Sequence, residues 1–260
     1  MERFDQKVVV VTGASRGIGK RLVRRFASLG ARVVFSARRE AELRALEAEL
    51  HAQGHEARAV PGDVGLAQHG QRLVDTALQA FGRIDVLVNN AAMSGVQKPC
   101  WEVTSDELDE VMRVNVHGPL NCIRHSAPSM IERKSGVIVN IGSFTGKRSA
   151  ANRTVYATSK MALVGLTRTA ALELAPHGVR CNVVSPGPVE GERVEEVVAR
   201  AAKAGNKTED QVRQEFTSWI PLGSMVTEEE ICDMVVFLAS ESGRHMTGQD
   251  INMDGGIVMY

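Results

Sequence analysis

Six short runs of mostly Val, Ile and Ala are spread along the chain, and longer segments with helical periodicity separate them. The runs are KVVVVTG, ARVVFS, EARAVPGD, IDVLVNN, SGVIVNIGS and VRCNVVSPG. They are apolar almost throughout, which is typical of strands buried on both faces of a parallel sheet. Between the second and third runs, Leu43, Leu46 and Leu50 recur at helical spacing. Strands that alternate with helices predict βαβ units, and therefore a doubly wound α/β fold with helices on both faces of the sheet.

The chain has no Pro-, Ser- or Gly-rich linker, so we predict one domain over residues 1–260. Residues 187–226 follow the sixth run and form one long interruption, with two short helices predicted near 191–204 and 208–219. Insertions at the carboxyl end of a strand are where α/β proteins build substrate sites. The alternative is a passive surface loop. The candidate substrate contacts in this insertion are Phe216, Trp219, Ile220 and Met225, with Glu190, Glu192 and Arg193 as polar candidates.

Composition and charge exclude several classes of protein. The formal net charge is +0 and no basic stripe is present, which argues against a nucleic-acid partner. The N-terminal apolar run is too short for a signal peptide or a membrane span, so we expect no membrane partner. The four cysteines Cys100, Cys122, Cys181 and Cys232 form no CxxC pair. We therefore predict free thiols in a reducing cytoplasm and no metal site.

The stretch VVVVTGASRGIGKRL places Gly13, Gly17 and Gly19 between the first strand and the first helix. Glycine lets the backbone turn tightly and approach a pyrophosphate, and the following helix presents free N–H groups and a positive dipole end to an anion. A turn needed only for close packing is the alternative. The position after a buried strand and before a helix favours dinucleotide binding.

The stretch VYATSKMAL places Tyr156 and Lys160 four residues apart, and therefore on one face of a helix. A free phenol has a pKa of about 10 and is a poor base at neutral pH. A cation one helical turn away stabilises the phenolate and lowers that pKa. The pair is therefore either an ordinary surface contact or a phenol prepared to donate and accept a proton.

An ordered set of motifs extends from Val8 to about Gly256. It comprises TGxxxGxG, NNAA (89–92), Asn115 in VNVHG, Ser143, Tyr156xxxLys160 and SPG (185–187). This set resembles the short-chain dehydrogenase/reductase family, including its 3-oxoacyl carrier-protein reductases. The resemblance implies one Rossmann-type domain with a seven-stranded parallel sheet, binding of NAD(H) or NADP(H), and interconversion of alcohols and carbonyls.

The resemblance also implies roles for four catalytic residues. Tyr156 would donate the proton when a carbonyl is reduced and accept it when an alcohol is oxidised. Lys160 would also hold the nicotinamide ribose, and Asn115 would position a water leading to the lysine. Ser143 would hydrogen-bond the substrate oxygen. The alternatives are a helix irregularity at Asn115 and a strand-end cap at Ser143.

The same motifs predict a set of cofactor-binding residues. They are Gly13, Ser15, Arg16, Gly17, Ile18, Gly19, Arg38, Asp63, Val64, Asn89, Ala91, Tyr156, Lys160, Pro186, Gly187 and Val189. Two positions depart from the family pattern. NNAA replaces the commoner NNAG, and Gly191 stands where the family often has a Thr that closes over the carboxamide.

The residues at the end of the second strand indicate which of the two nicotinamide cofactors a protein prefers. NAD-preferring proteins place an acid there, whereas NADP-preferring ones supply Arg. Here Ala37 takes the place of the acid, and Arg38 and Arg16 lie near it, so we predict NADP(H). An NAD-dependent catabolic dehydrogenase and a non-catalytic dinucleotide sensor remain alternatives. The substrate is a small carbonyl or alcohol, and 3-oxoacyl carrier-protein, sugar-alcohol and steroid substrates fit equally.

The helix that carries Tyr156 also carries small residues, which allow another helix to approach closely. They are Ala157, Ala162, Gly165, Ala170 and Ala171. Similar proteins pair this helix across a two-fold axis, and a helix from Thr104, with Val111, Val114 and Leu120, would complete a four-helix interface. The apolar C-terminus DGGIVMY offers a second interface. We therefore predict a homotetramer, with a dimer as the alternative.

Overall fold

The computed structural model describes residues 2–260, except for the side chains at 192, 193, 196, 200, 201 and 204. It contains seven strands in one sheet, and every neighbouring pair is parallel. The strands are β1 (Val8–Thr12), β2 (Arg32–Ala37), β3 (Ala57–Pro61), β4 (Val86–Asn89), β5 (Gly136–Ile141), β6 (Val179–Pro186) and β7 (Asp250–Met253). Their order is β3-β2-β1-β4-β5-β6-β7. The doubly wound, seven-stranded prediction is confirmed.

Nine helices of eight residues or more lie in the described part of the chain. They are α1 (Gly17–Ser28), α2 (Glu40–Ala52), α3 (Ala67–Phe81), α4 (Ser105–Met112), α5 (Gly118–Glu132), α6 (Thr154–Leu174), α7 (Glu192–Gly205), α8 (Glu209–Ser218) and α9 (Glu228–Ala239). Helices α1, α2 and α9 bury one face of the sheet, with Phe26, Leu43 and Val235 in that core. Helices α3, α5 and α6 bury the other face. None of the helices in the described residues is both long and apolar enough to cross a membrane.

The strand order reverses at β1 and β4, which lie side by side at the centre of the sheet. Chain connections leave these two strands in opposite directions, so a crevice opens outside their carboxyl ends. Ligands of open α/β sheets bind in that crevice. The segments that follow β1, β4, β5 and β6 therefore meet at one edge, and they carry most of the residues singled out above.

The stretch between α4 and α5 is a π-helical turn over Arg113–His117. Thr104 and Glu107 form the capping box that the sequence predicts at the start of α4. The expectation that Val111 and Val114 contribute to a subunit interface is wrong, because both side chains are buried inside this subunit. Leu120, by contrast, is exposed on α5.

The insertion forms two helices, α7 and α8, as the sequence predicts. Val198, Ala202 and Val212 are buried between them, and Phe216 packs against this small cluster. Phe216 therefore stabilises the insertion itself. An isolated parallel bridge between Val189 and Val226 closes its base. The side chains of Glu192 and Arg193, two polar candidates for substrate contact, lie outside the described residues.

Candidate active site

The glycine-rich turn lies tightly against the end of β4. Gly13 has φ +73°, and a Cβ there would lie 2.7 Å from the Cα of Ala91. A Cβ on Gly19 would collide with the carbonyl oxygen of Gly13. The side chain of Asn90 donates to the carbonyls of Thr12 (2.9 Å) and Gly13 (3.2 Å). Glycine is thus required by close backbone approach at 13 and 19, as well as by the left-handed conformation at 13.

The first turn of α1 can receive an anion. The helix begins at Gly17, with no side-chain cap from the described residues and no acidic residue in its first turn. Its unpaired N–H groups and the positive end of its dipole therefore point towards the glycine-rich turn. Ser15 and Ile18 flank this point, and Arg16 is exposed beside it. This arrangement fits a dinucleotide pyrophosphate.

The carboxyl ends of β2 and β3 form the next part of the crevice. Ala37 ends β2 and is buried, and the neighbouring Arg38 is exposed. Among the described residues, Arg38 has no hydrogen-bond or ion-pair partner. Asp63 accepts a hydrogen bond from the N–H of Gly65 (2.9 Å) and pairs with Arg113 (3.0 Å). Burial alone would raise the pKa of Asp63, but these two partners outweigh burial and hold that pKa below its usual value.

Two further cofactor candidates, Val64 and Asn89, have side chains engaged within the protein. Val64 is buried, and a Cβ on Gly118 at the start of α5 would lie 3.1 Å from it. Asn89 donates to the side chain of Asn140 on β5 (2.8 Å). Any contact of Val64 or Asn89 with a cofactor would therefore be made mainly by the backbone.

Tyr156 and Lys160 lie together on α6 next to the end of β5. The Lys160 side chain is buried and donates from Nζ to the carbonyl of Ile141 (2.7 Å). Its Nζ is 5.7 Å from the centre of the Tyr156 ring. Ser143 follows Ile141 by two residues, in an extended conformation. The structure therefore brings three of the four predicted catalytic residues to one end of β5.

The hydroxyl of Ser143 accepts a hydrogen bond from the N–H of Thr145 (3.2 Å). Ser143 is thus an N-cap of the short 3-10 turn Phe144–Gly146, as the strand-end alternative expected. A hydroxyl that accepts one hydrogen bond still has its proton to donate and a second lone pair. The capping role and a role towards substrate are therefore compatible.

Asn115 lies in the π-helical turn and connects three segments. Its Oδ1 accepts from the N–H of Met93 (2.9 Å), and its Nδ2 donates to the carbonyl of Met93 and to the hydroxyl of Ser159 (2.9 Å each). Ser159 immediately precedes Lys160. The side chain thus fixes the segment after β4 against α6, and both amide hydrogens are used. A role in positioning water would therefore fall to the backbone of this turn.

The segment after β6 approaches β7 and α9 closely. A Cβ on Gly187, next to Pro186, would lie 2.8 Å from the Cα of Asp254. Gly191 has φ +142°, and a Cβ there would lie 2.9 Å from Oε1 of Glu228. The Thr that the family often has at this position would be strained here and would displace Glu228. The departure at 191 therefore follows from the conformation of this loop.

Aromatic and cationic side chains adjoin the reactive residues. The ring of Trp219, from the insertion, lies 5.8 Å from the ring of Phe144, which follows Ser143. The guanidinium of Arg148 lies 5.3 Å from the Trp219 ring, and that of Arg153 lies 4.7 Å from the Tyr156 ring. Of the four apolar candidates in the insertion, Trp219 is thus placed beside the site. Ile220 is buried next to Gly255 instead.

Sequence reasoning missed several residues that hold the site together. The hydroxyl of Thr12 accepts hydrogen bonds from the N–H groups of Asn90 (3.0 Å) and Ala91 (3.1 Å), which joins β1 to β4. Thr12 belongs to the TGxxxGxG motif and Asn90 to the NNAA motif. Their position in these motifs was the available signal. Arg153 precedes Tyr156, and Ser159 lies between Tyr156 and Lys160, but the sequence reasoning gave neither residue a role.

Comparisons with known proteins identify the family of this chain. The family model described as Enoyl-(Acyl carrier protein) reductase matches residues 13–258. A short-chain reductase protein of Streptomyces niveus is 38% identical over 252 residues, covering 97% of this chain and 94% of its own. A 3-oxoacyl-acyl-carrier-protein reductase of Staphylococcus epidermidis is 32% identical over 256 residues, covering 97% and 99%.

Solved structures of similar proteins have the same fold. A crystal structure of NAD+-bound xylitol dehydrogenase superposes with a TM-score of 0.91 at 33% identity, covering 98% of this chain and 100% of its own. A blue fluorescent protein from a metagenomic library, in complex with NADPH, superposes with a TM-score of 0.87 at 35% identity, covering 99% and 100%. The chain therefore belongs to the short-chain dehydrogenase/reductase family and is an NAD(P)-dependent oxidoreductase that interconverts alcohols and carbonyls.

Proposed function

We propose that the protein transfers a hydride between NADP(H) and a carbonyl or secondary-alcohol substrate, with Tyr156 as the proton donor and acceptor. The observation that carries this proposal is the buried ammonium of Lys160, 5.7 Å from the Tyr156 ring and held by the carbonyl of Ile141. A buried cation favours the phenolate, because charge interactions are weakly screened away from water.

The residues of this chain have separate tasks in that reaction. Tyr156 gives its phenolic proton to the substrate oxygen during reduction and takes it back during oxidation. The hydroxyl of Ser143 donates to the same oxygen and stabilises the charge that develops there. Asn115 fixes the segment after β4 against α6, so that the backbone of this segment keeps its position beside the site. The nicotinamide, when bound, supplies or accepts the hydride.

Arg38 supports the choice of NADP(H). It is exposed beside Ala37, where an NAD-preferring protein has an acid, and a guanidinium suits a 2′-phosphate. Arg16 lies on the neighbouring turn. The two similar solved structures hold different cofactors, NAD+ in one and NADPH in the other. An NAD-dependent catabolic dehydrogenase is therefore the second candidate.

We also propose a homotetramer in a reducing cytoplasm. The four cysteines are unpaired, which suits a reducing compartment. Met161 and Leu172 are exposed on α6, and Leu120 is exposed on α5. Adjacent helices with exposed apolar side chains favour a partner subunit. The exposed C-terminal residues Met259 and Tyr260 favour a second contact.

The proton-transfer role is tested by Tyr156→Phe. We expect this variant to retain NADPH binding and to lose turnover by roughly 10²–10⁴-fold, because general acid–base groups contribute about that much. The measurements are NADPH binding by fluorescence and initial rates on a panel of ketones, polyols and 3-oxoacyl thioesters.

Tyr260→Phe is the matched control, because the chain contains two tyrosines and Tyr260 is exposed at the C-terminus. It should keep parental turnover. Parental turnover in Tyr156→Phe would contradict the assignment. Dinucleotide binding by the parent with no turnover of any panel substrate would favour the sensor instead.

A further inference from the structure

Arg153 has no role in the reaction described so far, yet its guanidinium is the charged group with the shortest described approach to the reactive phenol. It immediately precedes α6 and lies one helical turn before Tyr156. Its Cζ is 4.7 Å from the centre of the Tyr156 ring, whereas Nζ of Lys160 is 5.7 Å away. Two cations therefore lie over one aromatic ring.

A guanidinium at this distance acts on the ring in both protonation states. It is attracted to the face of a neutral phenol, and more strongly to a phenolate, which carries a full negative charge. The Tyr156 ring is mostly buried, so water screens this interaction weakly. Arg is effectively always protonated in proteins, so its charge is present while the phenol titrates.

Charged groups on α4, the π-helical turn, β6 and the loop after β5 are engaged elsewhere or exposed, and on α5 Arg124 is exposed while His125 is half-buried. Arg113 pairs with Asp63, Lys147 pairs with Asp250, and Glu107 pairs with Lys98. Arg180 on β6 donates to the carbonyls of Leu238 and Ser240. The exposed charged or titratable groups on α4 and the π-helical turn are Asp106, Asp109, Glu110 and His117. Within the described contacts, Arg153 and Lys160 are thus the cations that face the phenol.

We propose that Arg153 is a positioning residue that stabilises the phenolate of Tyr156, in addition to Lys160. The inference rests on the proposed function only in giving Tyr156 the proton-transfer role. The inference requires that Arg153 is charged and lies over the Tyr156 ring. It does not require a contact between Arg153 and substrate or cofactor.

The test uses the fact that the chain has two tyrosines, Tyr156 and Tyr260. In a Tyr260→Phe background, the ultraviolet absorbance of phenolate reports the ionisation of Tyr156 alone. Adding Arg153→Met should raise the titration midpoint by about one pH unit, since a nearby opposite charge shifts a pKa by about 1–3 units. Arg153→Lys keeps the positive charge and should therefore raise the midpoint less than Arg153→Met does. Arg153→Gln should raise the midpoint, as Arg153→Met does.

Arg148→Met is the matched control. It removes a guanidinium from the same loop, but one that lies over Trp219 rather than over Tyr156. Its midpoint should equal that of the background, and circular dichroism should confirm that all variants are folded. An unchanged midpoint in folded Arg153→Met or Arg153→Gln would overturn the inference.

The pH profile of alcohol oxidation separates this inference from the proposed function. If Tyr156 transfers the proton, Arg153→Met should move the rising limb of kcat/KM to higher pH. The shift should equal that of the absorbance midpoint. A shifted absorbance midpoint with an unshifted rate profile would support the role of Arg153 and contradict Tyr156 as the proton-transfer group.

Discussion

Arg38 and Arg39 are adjacent in the chain, but their surroundings differ. Arg39 lies within 3.5 Å of Glu42 on the first turn of α2, which is an ordinary helix-surface pair. Arg38 has no such partner among the described residues, and its charge reaches Asp63 across the ends of β2 and β3. The two side chains therefore allow a direct test of cofactor choice.

We expect Arg38→Ala to weaken NADPH binding and to leave NADH binding nearly unchanged. A hydrogen bond to a charged group contributes about 1.5–3 kcal/mol, which corresponds to roughly a 10- to 150-fold change in Kd. Dissociation constants for both cofactors can be measured by fluorescence titration. Arg39→Ala should change neither constant. Tighter binding of NADH than of NADPH by the unmutated protein would instead favour the NAD-dependent alternative.

At the scale of elements, one buried ion pair joins the segment after β5 to β7. Nζ of Lys147 lies 2.8 Å from Oδ1 of Asp250, and both side chains are at least nine-tenths buried. Ser185, at the end of β6, donates to the same carboxylate (2.6 Å). The pair therefore fixes the loop that carries Ser143 against the last two strands.

Lys147→Met should lower the free energy of unfolding by about 3–5 kcal/mol, because it leaves the Asp250 carboxylate buried without its cation. Adding Asp250→Asn should recover much of that loss, since the uncompensated charge is then removed. Denaturant unfolding measures both. Lys7→Met is the control, because its ammonium is about half exposed and 3.8 Å from Asp85; it should cost less than about 1 kcal/mol. Equal losses for the two single variants would contradict this account.

At the scale of the whole molecule, several exposed large apolar side chains lie on α5, α6 and the C-terminus, while others, such as Trp101 and Leu222, lie elsewhere. Leu172 is 78% exposed on α6, and Gly165 on the same helix faces open space. Ala170 and Ala171, from the same set of small residues, are buried against this subunit's own core. The helix thus divides its small and apolar residues between its own sheet and a surface that can receive a second copy.

Light scattering should give a mass about four times 28.2 kDa. Leu172→Glu should lower that mass to half or less, because a carboxylate would be buried at the two-fold contact. Leu66→Glu, at another exposed leucine, should leave the mass unchanged. A mass near 28.2 kDa for the unmutated protein would exclude the tetramer, and twice that mass would favour the dimer.

The sequence by itself determined the fold class, because the period of the apolar residues indicates which segments are buried strands and which are amphipathic helices. It also determined the family, since Gly13, Ser143, Tyr156 and Lys160 occur in a specific order and spacing. It did not indicate β7 from its own pattern, because Asp250–Met253 is half polar and only partly buried. The seventh strand was expected from the resemblance alone.

Only the tertiary structure decided which residues meet. Val111 and Val114 face inward because of how α4 and the π-helical turn pack, which the spacing of apolar residues does not specify. Trp219 reaches Phe144 through a contact between separate segments of the chain. Local sequence patterns encode the period and the ends of elements, whereas such contacts depend on the packing of elements far apart in the chain.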